Sequence, residues 1–278
     1  MTGTTLDNSR ILLLGAGRMG AAMLRGWLAQ GVPAGAVTVI DPHPTAELQS
    51  LAGVSGLRLN PAEAGPVDVL VVAVKPQMVD AAAPGIQGML SPKTLVVSIM
   101  AGKTLADLRR LFPAAGSFVR AMPNLAAAVG RGATVAVADP DCPAEEVERA
   151  EALLTGVGSL EWLADEAQVD AATAVSGSGP AYVFYLVECL TRAGIEVGLP
   201  PDVAQRLSRA TVEGAGELLR VTGQPAEELR ANVTSPGGTT AAGLSKLMAD
   251  GTLQDLLNAT VQAAAQRAAE LGGSNPAR

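Results

Sequence analysis

RILLLGAGRMG, Arg10 to Gly20, is the stretch that decides the fold. Arg10–Leu14 is a short apolar run without polar alternation, the pattern of a parallel strand buried on both faces. It runs into Gly15-Ala16-Gly17-Arg18-Met19-Gly20, a GxGxxG turn. A helix follows, with Met23, Leu24, Trp27 and Leu28 on its apolar face and Gly31 at its end. Val37–Ile40 is the next strand, and Asp41 closes it. Strand, glycine turn, helix, strand and acid in this order make a dinucleotide site. Gly15 serves the tight turn, Gly17 lets the backbone approach pyrophosphate, and Gly20 permits close helix–strand packing. GxGxxG alone is a weak signal; its flanking elements give it weight.

Further strands read out from this unit: Val67–Val74 (VDVLVVAV), Leu95–Ile99, Phe118–Ala121, Ala133–Ala138 and Val157–Leu163, with a helix over Glu145–Leu154. The alternation predicts an α/β fold, a Rossmann-type doubly wound sheet reaching about Leu163. Ligands of such sheets lie beyond the carboxyl ends of the strands. Ala73, Val74, Lys75 and Pro76 after one strand, and Ala101 after the next, are therefore expected to line the cofactor groove. Lys75 either contacts ribose or is a solvated loop lysine. A carboxylate at Asp41 can take both ribose hydroxyls of NAD and oppose a 2′-phosphate. Residues 41–48 (DPHPTAEL) hold no Arg or Lys to receive that phosphate. The reading leans towards NADH, with NADPH still reachable through backbone contacts. His43, the one histidine in the chain, lies near the adenosine or in an exposed loop.

After Ala164 the strand signals stop, which divides the chain into a dinucleotide-binding domain, 1–164, and an all-helical domain, 165–278. Ser176-Gly-Ser-Gly-Pro180 reads as a loop or kink before a helix over Ala181–Ala193, with Tyr182, Tyr185 and Cys189 near one face. Asp202 is placed as the cap of a helix to about Val221, where Gly214 and Gly216 hint at close helix contacts. A short helix over Pro225–Ala231 and a last one over Leu253–Leu271 complete the half. Such apolar helices with small side chains predict an intertwined homodimer.

Between these last helices lies NVTSPGGTTAAGLSKL, Asn232 to Leu247. Ser235 is suited to an N-cap and Pro236 to the first helical position. Gly237 and Gly238 leave first-turn amides uncovered, and Thr239 and Thr240 add hydroxyls. Unpaired N–H groups at a helix start form an anion site, here for a small carboxylate or phosphate. The alternative is a well-capped surface helix.

Composition narrows the class. The chain has 278 residues, 48% hydrophobic but only 3% aromatic, so Ala, Val and Leu must build the core. A net charge of −7 and a pI near 4.8 argue against nucleic acid or an anionic membrane as partner. Cys142 and Cys189 fit no metal-site spacing, so no metal is expected, and a reduced cytoplasm is. The N-terminus lacks an apolar signal core, and no apolar run is long enough to span a bilayer. With no histidine after His43, a histidine base is excluded from the helical half. Reduction of an imine, whose carbon is already electrophilic, asks less of the protein than alcohol oxidation and can rest on positioning.

VSGSGPAYVF (Val175–Phe184) and NVTSPGGTTAAGL (Asn232–Leu244) resemble the signature segments of the pyrroline-5-carboxylate reductase family. GAGRMG, AVKPQ (Ala73–Gln77) and RAMPN (Arg120–Asn124) are similar to its other landmarks, and the resemblance covers nearly the whole chain. It implies NAD(P)H-dependent reduction of 1-pyrroline-5-carboxylate to L-proline, the last step of proline biosynthesis. It also implies a Rossmann domain, a helical dimerisation domain and, in many members, a decamer. The match implies that Gly238, Thr239 and Thr240, with Ser235 and Gly237, hold the substrate carboxylate. It places Asn232 of the partner subunit near the cofactor and Glu166 near the substrate ring, with Thr240 and Glu166 as the catalytic pair. Glu166 reads equally as a first-turn helix acid. The chain departs from the family at Gly20, where Ala is frequent, at Leu125, where Thr is common, and at Asp41, which replaces small polar residues. The rivals are a related cyclic-imine reductase, a β-hydroxyacid dehydrogenase and a non-catalytic nucleotide-binding scaffold. The dehydrogenase would need a catalytic lysine in an interdomain helix, and Lys246 is the only lysine after Lys103.

Overall fold

Four predominantly apolar runs, β1 (Ile11–Leu14), β2 (Val37–Ile40), β4 (Val69–Val72) and β5 (Leu95–Ser98), lie parallel and in register at the heart of the chain. The computed structural model describes residue 6 and residues 9–272. Between these strands come α1 (Arg18–Ala29), α2 (Ala46–Ser55), a two-residue edge strand β3 (Arg58–Leu59) and α3 (Val79–Ala82). Then follow α4 (Leu105–Leu111), β6 (Ser117–Met122), β7 (Gly132–Ala138), α5 (Ala144–Thr155) and β8 (Gly158–Trp162). The sheet runs β3-β2-β1-β4-β5-β6-β7-β8. It departs from a wholly parallel doubly wound sheet at one place, where β7 runs antiparallel to β6. The connection from Met122 to Gly132 holds a 3-10 turn, Leu125–Val129, and is shorter than the roughly dozen or more residues that a parallel crossover needs.

Both faces of the central strands are buried, which is why their sequences show no alternation. Ile11 and Leu13 pack on one side with Met23, Leu24 and Trp27 of α1 and Leu153 of α5. Leu12 and Leu14 pack on the other with Val79, Ile86 and Phe112. Each such side chain contributes about 1.5–3 kcal/mol by leaving water. Trp27 is wholly buried, and its Nε1–H donates to the Leu153 carbonyl at 2.9 Å. At the amino edge, Asp68 accepts from the backbone N of Arg10 at 2.8 Å and from its guanidinium at 2.9 and 3.1 Å, joining the starts of β1 and β4.

The remaining elements are α6 (Gln168–Ala172), α7 (Gly179–Glu196), α8 (Pro201–Thr222), α9 (Ala226–Asn232), α10 (Thr239–Leu247) and α11 (Thr252–Leu271). Residues up to Ser178, with those from Ala264 onward, pack as one unit, and Gly179–Ala263 as a second. The end of the strand signals at Ala164 does not reveal that seam. Of the loop or kink expected at Ser176–Pro180, the chain takes neither a loop nor a break but a π-helical turn, Thr173–Gly177, within a continuing helical run. Ser178 N donates to Thr173 O, five residues back, at 2.9 Å. Residue 180 is proline, so the Ser176 carbonyl has no N–H four residues on. Asn124 supplies the donor: its Nδ2 reaches Ser176 O at 3.0 Å, while its Oδ1 accepts from Ala133 N at 3.1 Å. Two further expectations are corrected. Asp202 lies inside the first turn of α8, whose N-cap is Pro200, and pairs with Arg206 at 2.8 Å. Nothing among the described residues approaches within 4 Å of a Cβ placed at Gly214 or Gly216, so their close contacts do not lie within one copy of the chain.

Asn124→Ala strands the Ser176 carbonyl and the Ala133 N–H. Both groups are partly buried, and at up to about 1–3 kcal/mol for each left unpaired the urea midpoint should fall below that of the parent. A second outcome concerns acid. The hydrogen bond from Arg10 is the main cause holding the Asp68 carboxyl below its usual pKa. Its stabilising effect is therefore present above the unfolded-state value of about 3.9 and fades as pH drops through the lower folded-state value. Asp68→Asn should be less stable near pH 7, and its thermal midpoint should drop less than the parent's between about pH 5 and pH 2.

Candidate active site

The parallel register brings the ends of β1, β2, β4 and β5 to one edge. Gly15 N donates to Ile40 O at 2.8 Å, Ala73 N to Leu14 O at 2.8 Å and Ile99 N to Val72 O at 3.1 Å. Gly15, Asp41 and Ala73 therefore stand side by side, where the chain crosses from β1 outward to β2 on one side and to β4 on the other. That is the switch point at which open α/β sheets take ligands. Gly15 has φ +91°, and a Cβ there would meet Val74 Cγ1 at 2.8 Å and the Ala73 backbone at 3.0 Å. Ala73 and Val74 are half-buried, Lys75 is exposed, and Pro76 opens a short 3-10 turn. Ala101 is exposed in the turn after β5.

The residues present fit the pyrophosphate of a dinucleotide. α1 starts at Arg18 from Gly17, which is extended and offers no side-chain cap, and its first turn holds no acid. A Cβ placed at Gly17 meets no atom within 4 Å, so the space over the turn is open. Its first-turn amides, with those of Arg18 and Met19 among them, have no capping side chain and suit an anion. Asp41 sits against the same turn: Oδ2 accepts from Ala16 N at 2.7 Å and Oδ1 from His43 N at 2.8 Å.

In the helical unit, α10 does not begin where the sequence placed it. Ser235 is not the N-cap and Pro236 is not helical. Gly238 N donates to Ser235 O at 3.0 Å, and Gly237 has φ +71°. Ser235–Gly238 is thus a turn with proline at its second and glycine at its third position, the arrangement of type II. The N-cap is Gly238, extended, without a side-chain bond, and the helix starts at Thr239 with no acid in its first turn. The consequence expected for the first-turn amides is kept, shifted by three residues: those of Thr239, Thr240 and Ala241 are left for a ligand. Both threonines are exposed. Asn232 is the last residue of α9.

Glu166 stands before α6, in the sheet unit. Its Oε1 accepts from Leu105 N, at the start of α4, at 2.8 Å and from Arg120 Nη1 at 3.1 Å. Arg120, 6% exposed, also pairs with Asp170 at 3.3 Å. Ser176 Oγ bonds back to Ala172 O at 3.0 Å. Asn60 and Arg120 are the polar residues that the sequence reading passed over; for Arg120 the RAMPN segment was the available signal. Among the described residues no cluster of His, Cys, Asp or Glu could hold a metal, and no helix is long and apolar enough to cross a membrane.

Comparison with known proteins joins the two halves. Residues 166–271 match the family model described as pyrroline-5-carboxylate reductase dimerisation. Residues 10–102 match that of NADP oxidoreductase, coenzyme F420-dependent. The pyrroline-5-carboxylate reductase of Pseudomonas aeruginosa is 39% identical over 268 residues, covering 96% of this chain and 98% of its own. The chain belongs to the pyrroline-5-carboxylate reductase family. The family member from Pisum sativum is 35% identical over 95% of the chain and 97% of its own. A solved reductase of the family from Coxiella burnetii superposes with a TM-score of 0.87 at 32% identity, covering 95% of this chain and 99% of that one. A Plasmodium falciparum pyrroline carboxylate reductase with NADP bound gives 0.77 at 25% identity over 97% and 100%. The helical half is accordingly a dimerisation region. Phe184, Leu186 and Leu256 lie exposed on it, and Tyr185, Cys189, Leu253 and Leu257 line an apolar groove of about 590 Å³ between α7 and α11.

Gly17→Val tests the cofactor turn without touching the core. Gly17 has φ −62° and ψ −169°, which any residue adopts. The variant should melt with the parent yet bind NADH and NADPH at least roughly tenfold more weakly, a loss of about 1.4 kcal/mol, in a fluorescence titration.

Proposed function

We propose that the chain reduces the C=N bond of 1-pyrroline-5-carboxylate to L-proline with NAD(P)H, the last step of proline biosynthesis. The observation that carries this reading is the Gly238-capped start of α10, an anion site flanked by two threonine hydroxyls, in a chain of this family. Gly17, Arg18, Met19 and Gly20 hold the cofactor's pyrophosphate at the uncapped start of α1, and Gly15 and Ala16, whose amides are bonded to Ile40 and Asp41, shape the turn beneath it. Asp41 takes the ribose, Ala73–Pro76 and Ala101 line the groove, and Asn232 of the partner subunit completes it. When bound, the reduced nicotinamide supplies the hydride for the C=N carbon.

This chain's own residues position and balance charge. The amides of Thr239 and Thr240, with Ser235, Gly237 and Gly238 shaping the turn before them, fix the substrate carboxylate and so orient the ring. Glu166 lies near the ring and offsets the positive charge of a protonated imine. The nitrogen's proton comes from solvent or arrives with the substrate. The exposed apolar helices pair in a homodimer, and dimers assemble further into a decamer. A cytoplasmic location, where Cys142 and Cys189 stay reduced, belongs to the same proposal.

Purified protein should oxidise NADH or NADPH when 1-pyrroline-5-carboxylate is added, followed by the loss of nicotinamide absorbance. Absence of oxidation with both cofactors would overturn the reading. Thr240→Val should raise KM for the imine roughly tenfold, the size of one lost hydrogen bond to a charged group, while the cofactor KM stays unchanged.

A further inference from the structure

We infer that Asn60 is a positioning residue that holds Asp41 as a selector for NADH over NADPH; this rests on the cofactor role proposed above. Asn60 follows the two-residue edge strand β3, and its φ of 45° is one of two positive values at non-glycine residues among those described. Asparagine enters this region more readily than other side chains because its short amide bonds locally. Here the amide grips a single residue from both sides. Asp41 N donates to Asn60 Oδ1 at 2.9 Å, and Asn60 Nδ2 donates to Asp41 O at 2.7 Å. The Asn60 N–H in turn donates to Val39 O at 2.9 Å, so the grip is anchored on β2.

From this fixed backbone the Asp41 carboxylate reaches the glycine turn. Each of its oxygens accepts one backbone N–H, from Ala16 and from His43. A carboxylate oxygen has a second acceptor site, so a vicinal diol can donate one hydrogen bond to each. A phosphate on the 2′-oxygen has no proton to give in the same place and brings a like charge instead. The nearby cations are engaged elsewhere. Arg25 pairs with Glu47 at 3.2 Å, Arg58 Nη2 donates to Glu63 O at 3.0 Å, and residues 42–57 hold no Lys or Arg. Arg18, first in α1, is the cation of the turn itself and the one a 2′-phosphate would have to recruit.

The test titrates full-length parent, Asp41→Ser and Asn60→Gly with NADH and with NADPH without substrate, then measures kcat/KM for each cofactor with the imine. Glycine keeps the positive φ at position 60 and removes only the two side-chain bonds. The parent should bind NADH roughly tenfold or more tightly than NADPH, and Asp41→Ser should move that ratio roughly ten- to a hundredfold towards NADPH. Asn60→Gly should move it the same way by a smaller factor. A merely structural role for Asn60 would weaken both cofactors alike. Parent preference for NADPH, or an unchanged ratio in either variant, overturns the inference. Binding in the expected ratio without turnover would sink the reductase reading alone, and binding of neither cofactor would sink both.

Discussion

Position 20 has no room for a side chain. A Cβ there would overlap the Gly15 carbonyl oxygen and press on the Ala73 Cβ at 3.2 Å. Because it is absent, α1 can settle on the ends of β1 and β4, with Met23, Leu24 and Trp27 in the core. The same settling brings the first turn of α1 over Gly15. Packing and function are one constraint at this point: the contact that buries the helix also aims its uncapped amides at the edge of the sheet.

The chain treats its helix starts in two ways. α2 is capped by Thr45 and carries Glu47 in its first turn, and α4 has a full capping box of Thr104 and Asp107. α5, α8 and α9 start from proline and place acids in the first turn. In each, the positive end of the helix is answered from within. α1 and α10 have glycine N-caps in extended conformation, no capping side chain and no first-turn acid. Their uncapped N–H groups are what an external anion would satisfy.

What was legible in the sequence follows from how strongly each feature writes itself there. Buried parallel strands require contiguous apolar residues, so β1, β2, β4 and β5 could be read together with the glycine turn they feed. β3 has two residues and no pattern, and with it Asn60 escaped notice. The direction of β7 is not encoded in ATVAVA; it follows from a connection too short for a parallel crossover. Ser-Pro-Gly-Gly satisfies two grammars, a cap with proline at the first helical position and a proline–glycine turn. The positive φ of Gly237 decides for the turn. Ser-Gly-Ser-Gly-Pro reads as a break because each residue disfavours helix. The run survives because a π turn and Asn124 satisfy what proline removes. The homodimer was legible for another reason, since helices this apolar and this exposed cannot be stable faces in water.

The hydrogen bonds at Glu166 bear on where the proton of the reaction comes from. Oε1 already accepts two donors, the Leu105 N–H and the Arg120 guanidinium. Both acceptor sites of that oxygen are therefore engaged. Arg120 is almost wholly buried and also engaged by Asp170, so it cannot swing away without leaving a buried charge unpaired, a costly state. Glu166 is thereby anchored as an acceptor on the start of α4 and on β6. The rest of the chain has no histidine beyond His43 to deliver a proton. Under the proposed reading, a substrate that arrives already protonated needs no acid from the protein.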